Sequence, residues 1–203
     1  MNIYEILITE LNKIIGFLEV SDKSVFELIK DNDRFGIGIT INNLYNNNYE
    51  EYKNHLCSSG LALGFSYFES YTYDVFQKIL KLKPELNNHK ITLKYVIENS
   101  VNLFDKAIED YLRSVGFTEV IKCLEKELKF FENGEYDALM FVYNIRNCIM
   151  HNSGNADVRL NQKYNVGEKI KLSSGDVNEY GLMARKIAKS IWEKYQKWEF
   201  LIG

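Results

Sequence analysis

A chain of 203 residues with one proline, Pro84, and only 12 glycines has too few breakers for an architecture of many short strands and turns. The same scarcity leaves long stretches in which apolar residues can recur every three or four positions, so the chain is expected to be helical. Its length suits one domain, and a hydrophobic content of 46% is enough to fill a core.

The periodicity can be followed along the chain. Leu7, Leu11, Ile14 and Leu18 lie on one face of a first helix, and Ser24 is placed to cap a short second one, "VFELIKD". The Asn-rich stretch "DRFGIGITINNLYNNNYE" reads as a loop. Its "GIG" lacks the third glycine and the preceding strand of a dinucleotide site. A long helix is expected from Tyr49 to Leu82, stopped by Pro84, with "SSG" at 58–60 as a point of bending. Leu61, Phe65, Phe68, Thr72, Val75 and Ile79 form its packing seam. A fourth helix is expected over Thr92 to Val115. Thr118 is placed to cap a fifth, which Asn133-Gly134 would end in a left-handed turn. "EYDALMFVYNIRNCIMH" is the sixth.

Beyond it the pattern changes. "KYNVGEKIKLSS" alternates apolar and polar residues, with Ile170 and Leu172 on one side, and predicts a small β-hairpin. Asp176 and Glu179 form a capping box for a closing helix ending near Trp198. No linker divides the chain. The expected fold is an all-α helical bundle with a small C-terminal β-hairpin and a closing helix, in one domain over 1–203. Within it, residues 1–48 are an N-terminal helical extension, 49–152 a core bundle, and 158–203 the hairpin and closing helix.

The net charge of −3 excludes a nonspecific polyanion binder, but the charge is uneven. Residues 158–203 hold nine Lys or Arg against five Asp or Glu. That basic quarter is either a surface for a phosphate backbone or a solvated helix face. Arg185, Lys186 and Lys189 fall within one helical turn, and Lys197 lies nearly on the same side, so these four are the candidates for tracking a phosphate backbone. Cys57, Cys123 and Cys148 have neither disulfide nor metal-ligand spacing, and free thiols fit a reducing cytosol. The N-terminal stretch lacks a basic region and cleavage site, and no run of about 18 apolar residues occurs. A cytoplasmic protein without membrane contact is expected.

The unusual stretch is "NIRNCIMHNSG", residues 144–154. Tyr143, Asn147 and His151 share a helical line, and Arg146 lies about 100° to the side. An otherwise apolar helix thus ends in a guanidinium, an amide and an imidazole. Buried, Arg146 would need a partner. At a cleft, the three groups could act on a substrate. The plainer alternative is a cation and a histidine gathered at a helix C-terminus, where the dipole favours them. Glu69 sits near the apolar face of the long helix and wants a cation. It either orients Arg146 or His151 across the bundle, or makes a structural ion pair or an exposed edge. His55 and His89 belong to no constellation and read as surface residues.

Arg146 with a histidine five residues later, at the end of a bundle helix, resembles the R-x4–6-H signature of the HEPN family. "FSYFESYTYDVF" resembles the acidic-aromatic helix that precedes that motif. "RNCIMHNSGNAD" followed by "YNVGEKIKLSSGDVNEY" is similar to the branch found in prokaryotic RNase toxins and abortive-infection proteins. The similarity covers about residues 55–198. It implies metal-independent RNA cleavage, with no cofactor, in a homodimer that brings two motifs into one cleft. By this resemblance His151 transfers protons, Arg146 holds the phosphate, Asn147 orients the histidine or the scissile group, and Glu69 supports them. The expected role is a defence or toxin effector under the control of an antitoxin or sensor protein. Ser153 stands where some family toxins carry the tyrosine that a partner nucleotidylates, which argues against that form of control. The alternative is a catalytically silent HEPN dimer serving as an interaction or RNA-binding scaffold, a reading favoured by the acidic overall balance.

Overall fold

The computed structural model describes the backbone of residues 2–30, 38–87 and 92–202, and the side chains within those spans apart from 19, 22–49, 93, 94 and 97. Helix α1 (Ile3–Lys30) lies against the long α2 (Gly38–Leu82). Leu7, Leu11, Ile14 and Leu18, the face expected from their spacing, are all buried. The two helices approach closely because Gly60 has no side chain: a Cβ there would stand 2.8 Å from Cδ1 of Leu18.

Helix α2 is the axis of the bundle and touches α1, α4 (Leu103–Ser114), α5 (Phe117–Leu128), α6 (Glu135–His151) and α7 (Ser174–Ile202). A helix surrounded in this way needs apolar residues on more than one face. Leu61, Phe65, Phe68, Val75 and Ile79 supply one, and Tyr71, Phe76 and Leu80 another. The single polar residue of the seam, Thr72, is fully buried and satisfied locally, its hydroxyl donating to the Glu69 carbonyl at 2.7 Å.

Several local expectations are corrected. Helix α1 continues through residue 24 to Lys30, so Ser24 starts no separate helix. Residues 38–50 of the Asn-rich stretch are helical, while residues 33–37, like His89, lie outside the described residues. Asparagine's helix penalty is only a fraction of a kcal/mol, about 0.7 at most. Extending an anchored helix is far easier than starting one. The fourth helix is broken: a short α3 (Leu93–Glu98) stops at Asn99, and α4 begins after Asn102. The Asn99 side chain donates to the Tyr95 carbonyl at 3.0 Å, which offers the chain an alternative to the helical bond.

Helix α5 starts one residue before Thr118, at Phe117, whose ring packs on Phe65, Phe68 and Tyr143. It ends at Lys129, in the left-handed region with φ 50°, not at Asn133-Gly134. The stop is made by Glu125, whose carboxylate accepts from the Phe130 and Phe131 amides and frees Phe130 to enter the core. Gly134 instead precedes α6.

No β-hairpin forms. Among the described residues the only pairing in this region is one antiparallel bridge, between Asn155 and Lys169. The segment 161–173 is a strap that buries Ile170 and Leu172 against the helices. Around that bridge its backbone bonds residues 154–156, and beyond it two of its backbone groups bond to a side chain instead of a second strand. The Asn54 amide of α2 donates to the Ile170 carbonyl at 3.1 Å and accepts from the Leu172 amide at 2.7 Å. The capping box of α7 is also displaced. Ser173 and Asp176 form it, the Ser173 amide donating to the Asp176 carboxylate at 2.8 Å and the Asp176 amide to the Ser173 hydroxyl at 3.1 Å. Helix α7 runs past Trp198 to Ile202.

Candidate functional site

Helix α6 occupies the residues expected for it. Leu139, Val142, Ile145 and Cys148 turn inward and leave the line of Tyr143, Asn147 and His151 at the edge of the buried face. Burial falls along that line. The Tyr143 ring is stacked among Phe65 and Phe117, Asn147 is 9% exposed, and His151 is exposed in the last turn.

Arg146 finds the partner its partial burial requires. One terminal nitrogen donates to Oε2 of Glu69 at 3.3 Å, and the other donates to Oδ1 of Asn147 at 3.1 Å. The side chains of Arg146 and Glu69 are 18% and 25% exposed, so the pair is neither fully solvated nor sealed. Nε of Arg146 is buried and makes no hydrogen bond. Glu69, Arg146 and Asn147 thus form one polar chain from α2 to α6. His151 is not hydrogen-bonded to it. Of the two orienting roles open to Glu69, only that toward Arg146 corresponds to a contact. Tyr73, four residues after Glu69 on α2, joins the same region by donating to the Val115 carbonyl at 2.7 Å. Burial, with the charge of Glu69 adding, pushes its phenol up to about 12.

The chain after His151 is held down at several points. The Asn152 and Gly154 amides both donate to the Cys148 carbonyl, at 3.0 and 2.9 Å. Asp157 accepts from the Arg159 amide and guanidinium, and the Cys148 thiol of α6 lies against its carboxylate. The Arg159 hydrogen bond is the main reason that carboxyl is held down at about 2, against the opposing effect of burial. Burial pushes the Cys148 thiol up. Asp157 and Arg159 were not singled out from the sequence. Their Asp-x-Arg spacing is the signal that could have found them.

The four basic residues of α7 are not gathered into one free face. Arg185 turns toward α1 and donates to Oδ1 of Asn12 at 2.6 Å. Lys186 is clasped by Glu132 at 2.6 Å and Glu135 at 2.8 Å, which raise its ammonium above the ordinary lysine range. Lys189 lies 3.9 Å from Glu193, both exposed. Lys197 borders an open groove with Glu193, Gln196, Phe200 and Leu201.

Among the described residues no three His, Cys, Asp or Glu side chains gather as a metal-ligand set. Nor, among them, is any helix long and apolar enough to cross a membrane. No family model, curated protein or solved structure matches this chain.

Proposed function

We propose that this chain is a HEPN-type, metal-independent endoribonuclease acting in the cytoplasm as a defence or toxin effector, held in check by an antitoxin or sensor protein. The observation that carries the reading is the pairing of Arg146 with Glu69 and Asn147, beside the line that ends in an exposed His151. A guanidinium oriented by a carboxylate and an amide is preorganised to meet a phosphate, and it keeps further N–H donors for that purpose.

The reaction is attack of an RNA 2′-oxygen on the adjacent phosphorus. The O2′–P bond forms and the P–O5′ bond breaks. A base takes the 2′-hydroxyl proton, an acid gives a proton to the leaving 5′-oxygen, and a cation stabilises the charge that builds on phosphorus. One motif contributes one histidine. A two-fold dimer with both motifs in one cleft contributes two, so His151 of one subunit serves as base and its copy as acid. Arg146 stabilises the phosphorane, and Glu69 and Asn147 orient Arg146.

The test is cleavage of single-stranded RNA in EDTA, with analysis of the ends. The reading requires 2′,3′-cyclic phosphate and 5′-hydroxyl products, abolished in His151→Ala. Cleavage that needs Mg²⁺, or that persists in His151→Ala, would overturn it. The second reading, a silent dimeric scaffold, draws support from α7. Lys186 is already neutralised by two glutamates and Arg185 is engaged with α1, which weakens any phosphate-tracking surface there. Intact RNA under all conditions, together with a stable dimer, would favour the scaffold.

A further inference from the structure

The turn after His151 is held both by its own helix and from outside it. Ser153 has φ 51° and Gly154 φ 74°, two successive residues in the left-handed region. A serine is uncommon there, and it persists only where its surroundings hold it. Part of the hold comes from α6, whose Cys148 carbonyl accepts from the Asn152 and Gly154 amides, and the rest from the strap. Nζ of Lys169 donates to the Ser153 carbonyl at 2.6 Å, and the next amide, Ile170, donates to the Gly154 carbonyl at 2.9 Å. The Lys169 side chain lies across Gly154, where a Cβ would stand 3.5 Å from Nζ and 3.6 Å from Cε. The strap is itself anchored, since Asn54 of α2 grips it on either side of Lys171 and Ile170 and Leu172 are buried. One line of contacts therefore runs from α2 through the strap to the residue two after His151.

We propose that Lys169 is a positioning residue for His151. By fixing the Ser153–Gly154 turn it sets where α6 ends, and hence where the imidazole stands. The proposal rests on His151 being the proton carrier. Lys169 is exposed, so its contribution to global stability is small, whereas its charge-assisted bond to a backbone carbonyl has a direct effect on the turn.

The experiment uses the full chain with Lys169→Met and Lys169→Arg. It follows the His151 ring resonances and the Gly154 amide exchange by NMR, and kcat and KM on a labelled single-stranded RNA. In Lys169→Met, Gly154 should exchange about tenfold faster and the ring resonances should move. The value of kcat should fall about tenfold and KM change by less than about twofold. Lys169→Arg, which keeps a cationic donor, should restore all of these. Unchanged ring resonances and exchange in Lys169→Met would overturn the proposal. So would a raised KM with kcat intact, which would make Lys169 a phosphate contact. If the wild-type chain cleaves no RNA, the endoribonuclease reading fails. The hold of Lys169 on His151 then stands or falls on the ring and exchange measurements.

Discussion

Asp157 shows how a single carboxylate can tie a loop to a helix. It receives the Arg159 amide and guanidinium on one side and meets the Cys148 thiol of α6 on the other. Its carboxyl is held from the ordinary 3.8 down to about 2, mainly by Arg159. A depressed acid stabilises the fold fully above its unfolded value and loses that contribution as the pH falls through the folded one. Thermal melts of the wild type should therefore lose stability between about pH 4 and pH 2, and Asp157→Asn should show a shallower fall over that window. An identical pH profile in the variant would mean that the Asp157 tie contributes nothing to folding. Arg146 and His151 differ in the same spirit. Removing the Arg146 guanidinium leaves Glu69 three-quarters covered without its cation. Arg146→Ala should cost about 1–3 kcal/mol in urea denaturation. His151→Ala, at an exposed position, should stay within about 0.5 kcal/mol. Equal losses in the two variants would show that the pair with Glu69 is not a structural tie.

At the scale of elements, the contact between α1 and α2 depends on where glycine is needed and where it is merely present. Gly60 is needed, because Cδ1, Cδ2 and Cγ of the buried Leu18 would lie 2.8 to 3.3 Å from an added Cβ. Gly64, one turn on, would place its Cβ 3.6 Å from Leu11 and 3.9 Å from Ile14, which are ordinary contacts. It also borders an apolar cavity of about 40 Å³ between α1, α2, α6 and α7. Gly64→Ala should gain about 1 kcal/mol from helix propensity and some cavity filling, read as a Tm rise of about 2–4 °C. Gly60→Ala should lower Tm, because overpacking of about 1–3 kcal/mol outweighs the same propensity gain. A rise in both would show that α1 can shift away from α2 at little cost.

For the molecule as a whole, the proposed chemistry demands a second copy. Close to the motif in the chain, Met150 and Val158 are 54% and 69% exposed. Light scattering at micromolar concentration should give about twice the 23.8 kDa chain mass. If the second copy packs beside the motif, Met150→Glu, which places a charge one residue before His151, should shift the chain toward monomer and reduce cleavage with it. A monomer that retains full activity would remove the composite site.

Spacing in the sequence was enough to place α6 at its observed bounds, to identify the apolar faces of α1 and α2, and to put Tyr143, Asn147 and His151 on one line. It could do so because side-chain direction along a helix is a local property, set by 3.6 residues per turn. The start of α5 and the strap were decided elsewhere. Phe117 starts its helix because its ring is wanted by Phe65, Phe68 and Tyr143. Ile170 and Leu172 alternate as in a strand, yet the Ile170 carbonyl and the Leu172 amide pair with Asn54, more than a hundred residues away. The sequence likewise said that Arg146 and Glu69 each need a partner, and left open whether they choose each other. That choice spans 77 positions and depends on which face of α2 meets α6. Periodicity reports which residues share a face, but the neighbour that covers the face is set only when the helices pack.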